Sequence, residues 1–161
     1  MAAMARLLVL FAVVLVPVLV NGQKAPFTVR GRVYCDTCRC GFETSASTYI
    51  HGAKVRIECK DRDTLQLKYS KEGETDSKGT YNIQVEDDHL DQICYAKLVS
   101  SPMASCKTPG PGRDHSQVIL TRSNGAVSNL HYANALGFLR NQALSECAQF
   151  LKQYQLQDDV I

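Results

Sequence analysis

Seven cysteines, three of them crowded into Cys35-Asp36-Thr37-Cys38-Arg39-Cys40, constrain this chain more than any other feature. Their meaning depends on compartment. A Cys-x-x-Cys followed by scattered single cysteines is a disulfide framework in an oxidising space and a metal or redox site in a reducing one. The N-terminus speaks to the compartment. Arg6 precedes an apolar run from Leu7 to Val20, broken only by Pro17, and Val20-Asn21-Gly22 offers small residues before a cleavage point. This is the layout of a signal peptide over residues 1–22, cut between Gly22 and Gln23. The run of 14 residues falls short of the roughly 20 that span a bilayer core, which argues against an anchor. No second apolar run follows, and Gln157-Asp158-Asp159-Val160-Ile161 carries no retention signal or lipid-anchor tail. The expectation is a secreted chain in the extracellular space or cell wall, with no membrane insertion.

Three readings of the cysteines compete. A redox site places its Cys-x-x-Cys at a helix N-terminus after a buried strand, but Gly41-Phe42-Glu43-Thr44-Ser45 reads as a loop. A zinc site needs four converging ligands, here Cys35, Cys38, Cys40 and a histidine. Export favours the third reading, structural disulfides. Arithmetic leaves the pairing open: one odd cysteine and three bridges give 7 × 15 arrangements.

Removal of the signal leaves 139 residues of the 161, one domain spanning 23–161 with a core of its own. Its 17 basic and 16 acidic residues are scattered, which argues against a nucleic-acid or anionic-membrane binder. No Asn-x-Ser/Thr occurs, so N-glycosylation is not expected.

The hydrophobic pattern has period two. Phe27, Val29, Gly31, Val33 and Cys35 alternate with polar residues, and Ala53, Val55, Ile57 and Cys59 repeat this after Gly52. Further strands are expected at Leu65–Tyr69, Tyr81–Val85, Ile93–Val99 and Val118–Leu120, with a turn at Asn124-Gly125. Ala143, Leu144, Cys147, Phe150, Leu151 and Tyr154 recur at three and four, predicting a short amphipathic helix over Gln142–Tyr154 packed on the strands. Residues 39–51 and 101–116 read as loops, the second because Pro109-Gly110-Pro111-Gly112 resists regular structure. Gly52-Ala53-Lys54-Val55 and Thr75-Asp76-Ser77-Lys78-Gly79-Thr80-Tyr81 together resemble the punctuation of prealbumin-like β-sandwiches. That likeness implies an all-β, antiparallel sandwich or barrel of about seven strands, and no chemistry.

A more specific resemblance covers nearly all of the mature chain. Gly31-x-Val33-Tyr34-Cys35-Asp36-Thr37-Cys38-Arg39, Gly52-Ala53-x-Val55-x-Ile57-x-Cys59-Lys60, Leu136-Gly137-Phe138 and the single cysteines at 94, 106 and 147 are similar to the Ole e I family of pollen proteins. The resemblance implies a secreted, non-enzymatic protein with three bridges: Cys35–Cys106, Cys38–Cys147 and Cys59–Cys94. Cys40 is extra to the pattern and unpaired. It is read as exposed, open to a free thiol, to exchange with Cys38 for Cys147, or to a Cys40-linked dimer of an otherwise monomeric chain. Two other departures are Ala126, where some members carry a glycosylation sequon, and Ala135, where proline is common.

No catalytic, cofactor-binding or metal-binding set emerges. His51, His89, His115 and His131 are scattered and read as solvated, and Asp87-Asp88-His89 with Asp91 lacks the ligand alternation and distal Glu of a calcium loop. Function is therefore expected to be binding, through the loops Gly41–His51 and Lys107–Ser116. Tyr49, His51, Arg113 and Tyr132 are the candidate partner-binding residues, the two tyrosines because they read as loop residues. The resemblance implies a role in pollen hydration, germination or tube growth, with an extracellular protein or wall polysaccharide as partner. A cell-wall structural role of the extensin type is the alternative, weakened by only five prolines. A protease inhibitor presenting Arg39 or Arg113 is a further one.

Overall fold

The computed structural model describes residues 25–158. The apolar N-terminal segment and the Gly22–Gln23 junction lie outside them. The chain forms two β-sheets around one core. Strand β1 (Phe27–Asp36) is the axis of the first sheet. Along its first half it pairs antiparallel with β5 (Thr80–Val85) and parallel with β9 (Leu130–Tyr132). Along its second half it pairs antiparallel with β2 (Thr48–Tyr49) and parallel with β10 (Leu136–Arg140), which in turn pairs with β7 (Cys106–Pro109). The second sheet is antiparallel, in the order β4 (Leu67–Glu74), β3 (Lys54–Asp61), β6 (Gln92–Ser100), β8 (His115–Val118). A helix, α1 (Cys147–Asp158), ends the described chain.

Alternation explains the core. Phe27, Val29 and Val33 of β1 and Tyr81, Ile83 and Val85 of β5 face Val55 and Ile57 of β3, Ala96 of β6 and Val118 of β8, all buried. The opposite set on β1, Thr28, Arg30 and Arg32, faces outward. The turn between the sheets at residues 75–80 is fixed by Asp76, whose Oδ1 accepts the backbone N–H of Lys78 (2.8 Å) and Thr80 (2.9 Å), while Gly79 takes a φ of 69°. Thr75 is buried beside it; its hydroxyl donates to the Ile50 carbonyl (2.6 Å) and accepts the Ala53 N–H (2.9 Å).

The structure corrects several expectations. There are ten strands among the described residues rather than about seven, and two pairings of β1 are parallel. The segment 130–140, expected to carry only a motif before the last cysteine, is a strand interrupted at 133–135 that runs the length of β1. The 101–116 segment is not wholly irregular, since β7 takes Cys106–Pro109 and β8 begins at His115. Pro109 is tolerated because it ends an edge strand. β8 covers 115–118 rather than 118–120. Leu65 is not a strand residue: it takes a φ of 57° in the turn before β4, and both Leu65 and Leu67 are exposed. The helix begins at Cys147, not Gln142, because residues 141–146 are tied to the body instead: Asn141 N–H donates to Ser105 O and Leu144 N–H to Thr37 O. His89 is buried rather than solvated, its ring nitrogens 3.1 Å from Gln92 Oε1 and 2.9 Å from the Glu86 carbonyl.

Candidate binding face of the first sheet

The outward face of β1 carries the polar half of the alternation. Register places Asn82 (β5), Arg30 (β1) and Tyr132 (β9) side by side, with Thr80 beside Arg32 in the next row. Arg30 Nε donates to Asn82 Oδ1 at 2.6 Å. Arg32 donates to the Tyr49 hydroxyl at 2.9 Å and its guanidinium lies 4.4 Å from the Tyr49 ring centre. Tyr49 donates its own hydroxyl proton to Glu43, and that bond, with lesser help from burial, raises its pKa. Every ion pair among the described residues lies elsewhere, so Arg30 and Arg32 have no carboxylate partner there. Arg30, Arg32, Thr80, Asn82 and Tyr132, with Asp76, Ala133 and Ala135, line a groove of about 440 Å³. The N–H bonds from Thr80 and Lys78 hold the Asp76 carboxyl below its usual range.

Beyond β2 the face continues into the cysteine-rich loop. Asp36 is buried, and its carboxylate accepts the N–H of Gly41 (2.8 Å) and Cys38 (3.2 Å). Arg113 Nε donates to the Gly41 carbonyl at 2.9 Å, joining the two expected binding loops. Three disulfides hold this frame. Cys35–Cys106 ties β1 to β7, Cys38–Cys147 ties the loop to α1, and Cys59–Cys94 joins directly opposed residues of β3 and β6. Cys40 is unpaired. It is half-buried rather than exposed, 3.6 Å from Asp36 Oδ1, and burial pushes its thiol pKa up, the nearby carboxylate adding to the effect.

The four sequence-derived binding residues divide. Tyr49 (37 % exposed) and Tyr132 (70 % exposed) flank the two arginines, but both sit on short strands rather than loops. His51 lies in the exposed turn after β2. Arg113 stands apart, committed to Gly41. Arg30, Arg32 and Asn82 were not singled out by sequence; on an alternating strand their outward positions look like ordinary solvated ones. Arg39 takes a φ of 54° and donates to the Arg140 and Asn141 carbonyls, so neither arginine considered for a protease pocket projects freely. Cys59, His89 and Cys94 bring their ligand atoms within 4.8 Å of one another, but the two sulfurs are bonded to each other and offer no thiolate. Among the described residues no helix is long and apolar enough to cross a membrane.

Fold and face together define a disulfide-stapled, two-sheet β-protein that presents a rigid polar surface. The chain belongs to the family described as "Pollen protein Ole e 1 like", which it matches over residues 25–155. It is 48 % identical over 148 residues to "Protein DOWNSTREAM OF FLC" of Arabidopsis thaliana, covering 92 % of this chain and 90 % of that protein. It is 45 % identical over 133 residues to "Pollen-specific protein C13" of Zea mays, covering 83 % and 78 %. The crystal structure of the major plantain pollen allergen Pla l 1 superposes with a TM-score of 0.68 at 31 % identity, covering 76 % of this chain and all of the other. Membership makes this a secreted, non-enzymatic protein of the pollen family.

Proposed function

We infer that the chain acts outside the cell by binding a surface receptor or a wall component during pollen hydration, germination or tube growth. The observation that carries this reading is the continuity of its outward face. The expected loops are joined by Arg113 and Gly41, clamped by Cys35–Cys106 and Cys38–Cys147, and run into the Tyr49–Arg32–Arg30–Tyr132 strip. A surface fixed in this way loses little conformational entropy on binding, which suits recognition. The relatives named for pollen support the setting, and the signal-like N-terminus supports the compartment.

The test is affinity capture from pollen-tube membranes and from wall extract, with the wild-type chain and a Tyr49→Ala/Tyr132→Ala variant. Capture of a defined component that falls at least tenfold with the variant is expected. Equal capture by both would overturn the assignment of the face. Retention on insoluble wall material that ignores the variant would favour the structural, extensin-like role.

A further inference from the structure

We propose that the groove over β1, β5 and β9 binds an acidic saccharide, a chain of uronate units whose carboxylates are taken by Arg30 and Arg32. This rests on the reading of the chain as an extracellular binding protein and names the ligand class of its face.

Charge and geometry carry the first step. Arg30 and Arg32 are two residues apart on one strand face, about 6.7 Å along the strand. Each is positioned by a neutral oxygen, Asn82 Oδ1 or the Tyr49 hydroxyl, and neither pairs with an acid among the described residues. Glu43 engages the Tyr49 hydroxyl rather than Arg32. Two prepositioned guanidinium forks with unused donor edges fit successive carboxylates, and their anchoring reduces the entropy lost on binding.

The other lining residues select among anions. Tyr132 presents its ring beside Arg30 with 70 % of its surface exposed, an apolar platform for the C–H face of a pyranose. Asn82 keeps its amide donors, because only its oxygen is engaged with Arg30. Asp76 and Thr80 add acceptors for hydroxyl protons. A carboxylate at the Asp76 end repels a ligand that is anionic throughout, such as a phosphate chain, and suits one that alternates carboxylates with hydroxyls. Five of the lining side chains, Arg30, Arg32, Asp76, Thr80 and Asn82, are polar or charged, which favours a ligand rich in hydroxyls and carboxylates. Its volume of about 440 Å³ lies within the range of small-ligand sites.

The test is titration calorimetry of the secreted chain at low salt with the tetramer of α-linked galacturonate. Controls are its methyl ester, a neutral cello-oligosaccharide of equal length and poly-glutamate. The free acid is expected to bind at least tenfold tighter than its ester. Tyr132→Ala should weaken it fivefold or more without changing charge, and Arg30→Lys with Arg32→Lys should do the same while keeping the charge. These side chains are exposed, so the variants should melt as the parent does; a variant that does not is replaced by Asn82→Ala, with the same expected loss. Equal affinity for ester and acid, or tight poly-glutamate binding that ignores Tyr132→Ala, would overturn the proposal. Absence of uronate binding alongside capture that still depends on Tyr49 and Tyr132 would defeat the ligand class and leave the binding-protein reading standing.

Discussion

Single residues in this protein answer to their closest neighbours. Gly31 is an interior residue of β1 opposite Tyr81, and a Cβ there would lie 2.5 Å from Tyr81 Cζ and closer still to its hydroxyl. The glycine is therefore needed for room. The Tyr81 hydroxyl is buried without a partner. Gly31→Ala should cost about 1–3 kcal/mol through overpacking, whereas Tyr81→Phe should be neutral or stabilise by about 1 kcal/mol because it removes an unpaired buried group. Denaturant melts of the two variants check both signs. His131 is a second case. It packs edge-on against Phe27 at 5.1 Å, its Nε2 is buried and unpartnered, and burial lowers its pKa below the usual value. Above about pH 6.5 the ring is neutral in both folded and unfolded chains. As pH falls below that value the unfolded chain takes up the proton first, so stability declines. The hydrogen-bonded carboxylates Asp61, Asp76 and Asp88, whose pKa values are also lowered, act in the more acid range below the usual carboxylate value. His131→Phe should flatten the fall of the melting temperature as pH drops below about 6.5, and an unchanged slope there would count against the assignment.

The elements differ in how firmly they are held, and the disulfides show it. Cys35, Cys106, Cys59 and Cys94 are at most 2 % exposed, while Cys38 and Cys147 reach 7 % and 6 %. Beyond its bridge, the apolar side chains of α1 described up to Tyr154 are half-buried at most, as where Phe42 meets Tyr154 at 5.3 Å. Mild reductant should open Cys38–Cys147 first and release the helix while both sheets persist. Timed alkylation with mass spectrometry would show Cys38 and Cys147 labelled before the other four, with little loss of the strand signal in circular dichroism. Labelling of all six together would refute this order. The same contrast separates what sequence reveals from what it does not. β1, β3 and β5 were legible because each buries one face, so alternation records their environment. The Asp76-x-x-Gly79 turn was legible because its chemistry is local. β9 and β10 were not, because they are short, and parallel pairing to a distant strand leaves no local mark. The candidate face was half legible. Tyr49 and Tyr132 stood out because they read as loop tyrosines, although both sit on short strands, and Arg30 and Arg32 became a pair only when β5 and β9 placed Asn82 and Tyr132 beside them.

At the scale of the molecule, the bridges connect parts that strand pairing alone joins weakly. Cys59–Cys94 lies inside the second sheet, where β3 and β6 already pair along eight positions, from Lys54↔Ser100 to Asp61↔Gln92. The other two lie at the margins: Cys35–Cys106 fixes the edge strand β7, and Cys38–Cys147 fixes the loop and α1. Their sequence separations are 35, 71 and 109 residues. In the loop-closure picture each limits the unfolded chain by about 4–5 kcal/mol. The loops overlap, so these contributions do not add in full, yet two of them already approach the roughly 5–15 kcal/mol total stability of a domain this size. Full reduction should therefore unfold the chain near room temperature, even though one contiguous core spans both sheets. The expected course under increasing thiol is biphasic: loss of the helix as Cys38–Cys147 opens, then cooperative loss of both sheets as the buried bridges follow. Near-ultraviolet circular dichroism, which follows the buried tyrosines Tyr34 and Tyr81, should keep most of its signal through the first phase, in which only Tyr154 leaves Phe42, and collapse in the second. A fully reduced chain that keeps that signal and melts within a few degrees of the oxidised one would show that packing alone stabilises the sandwich.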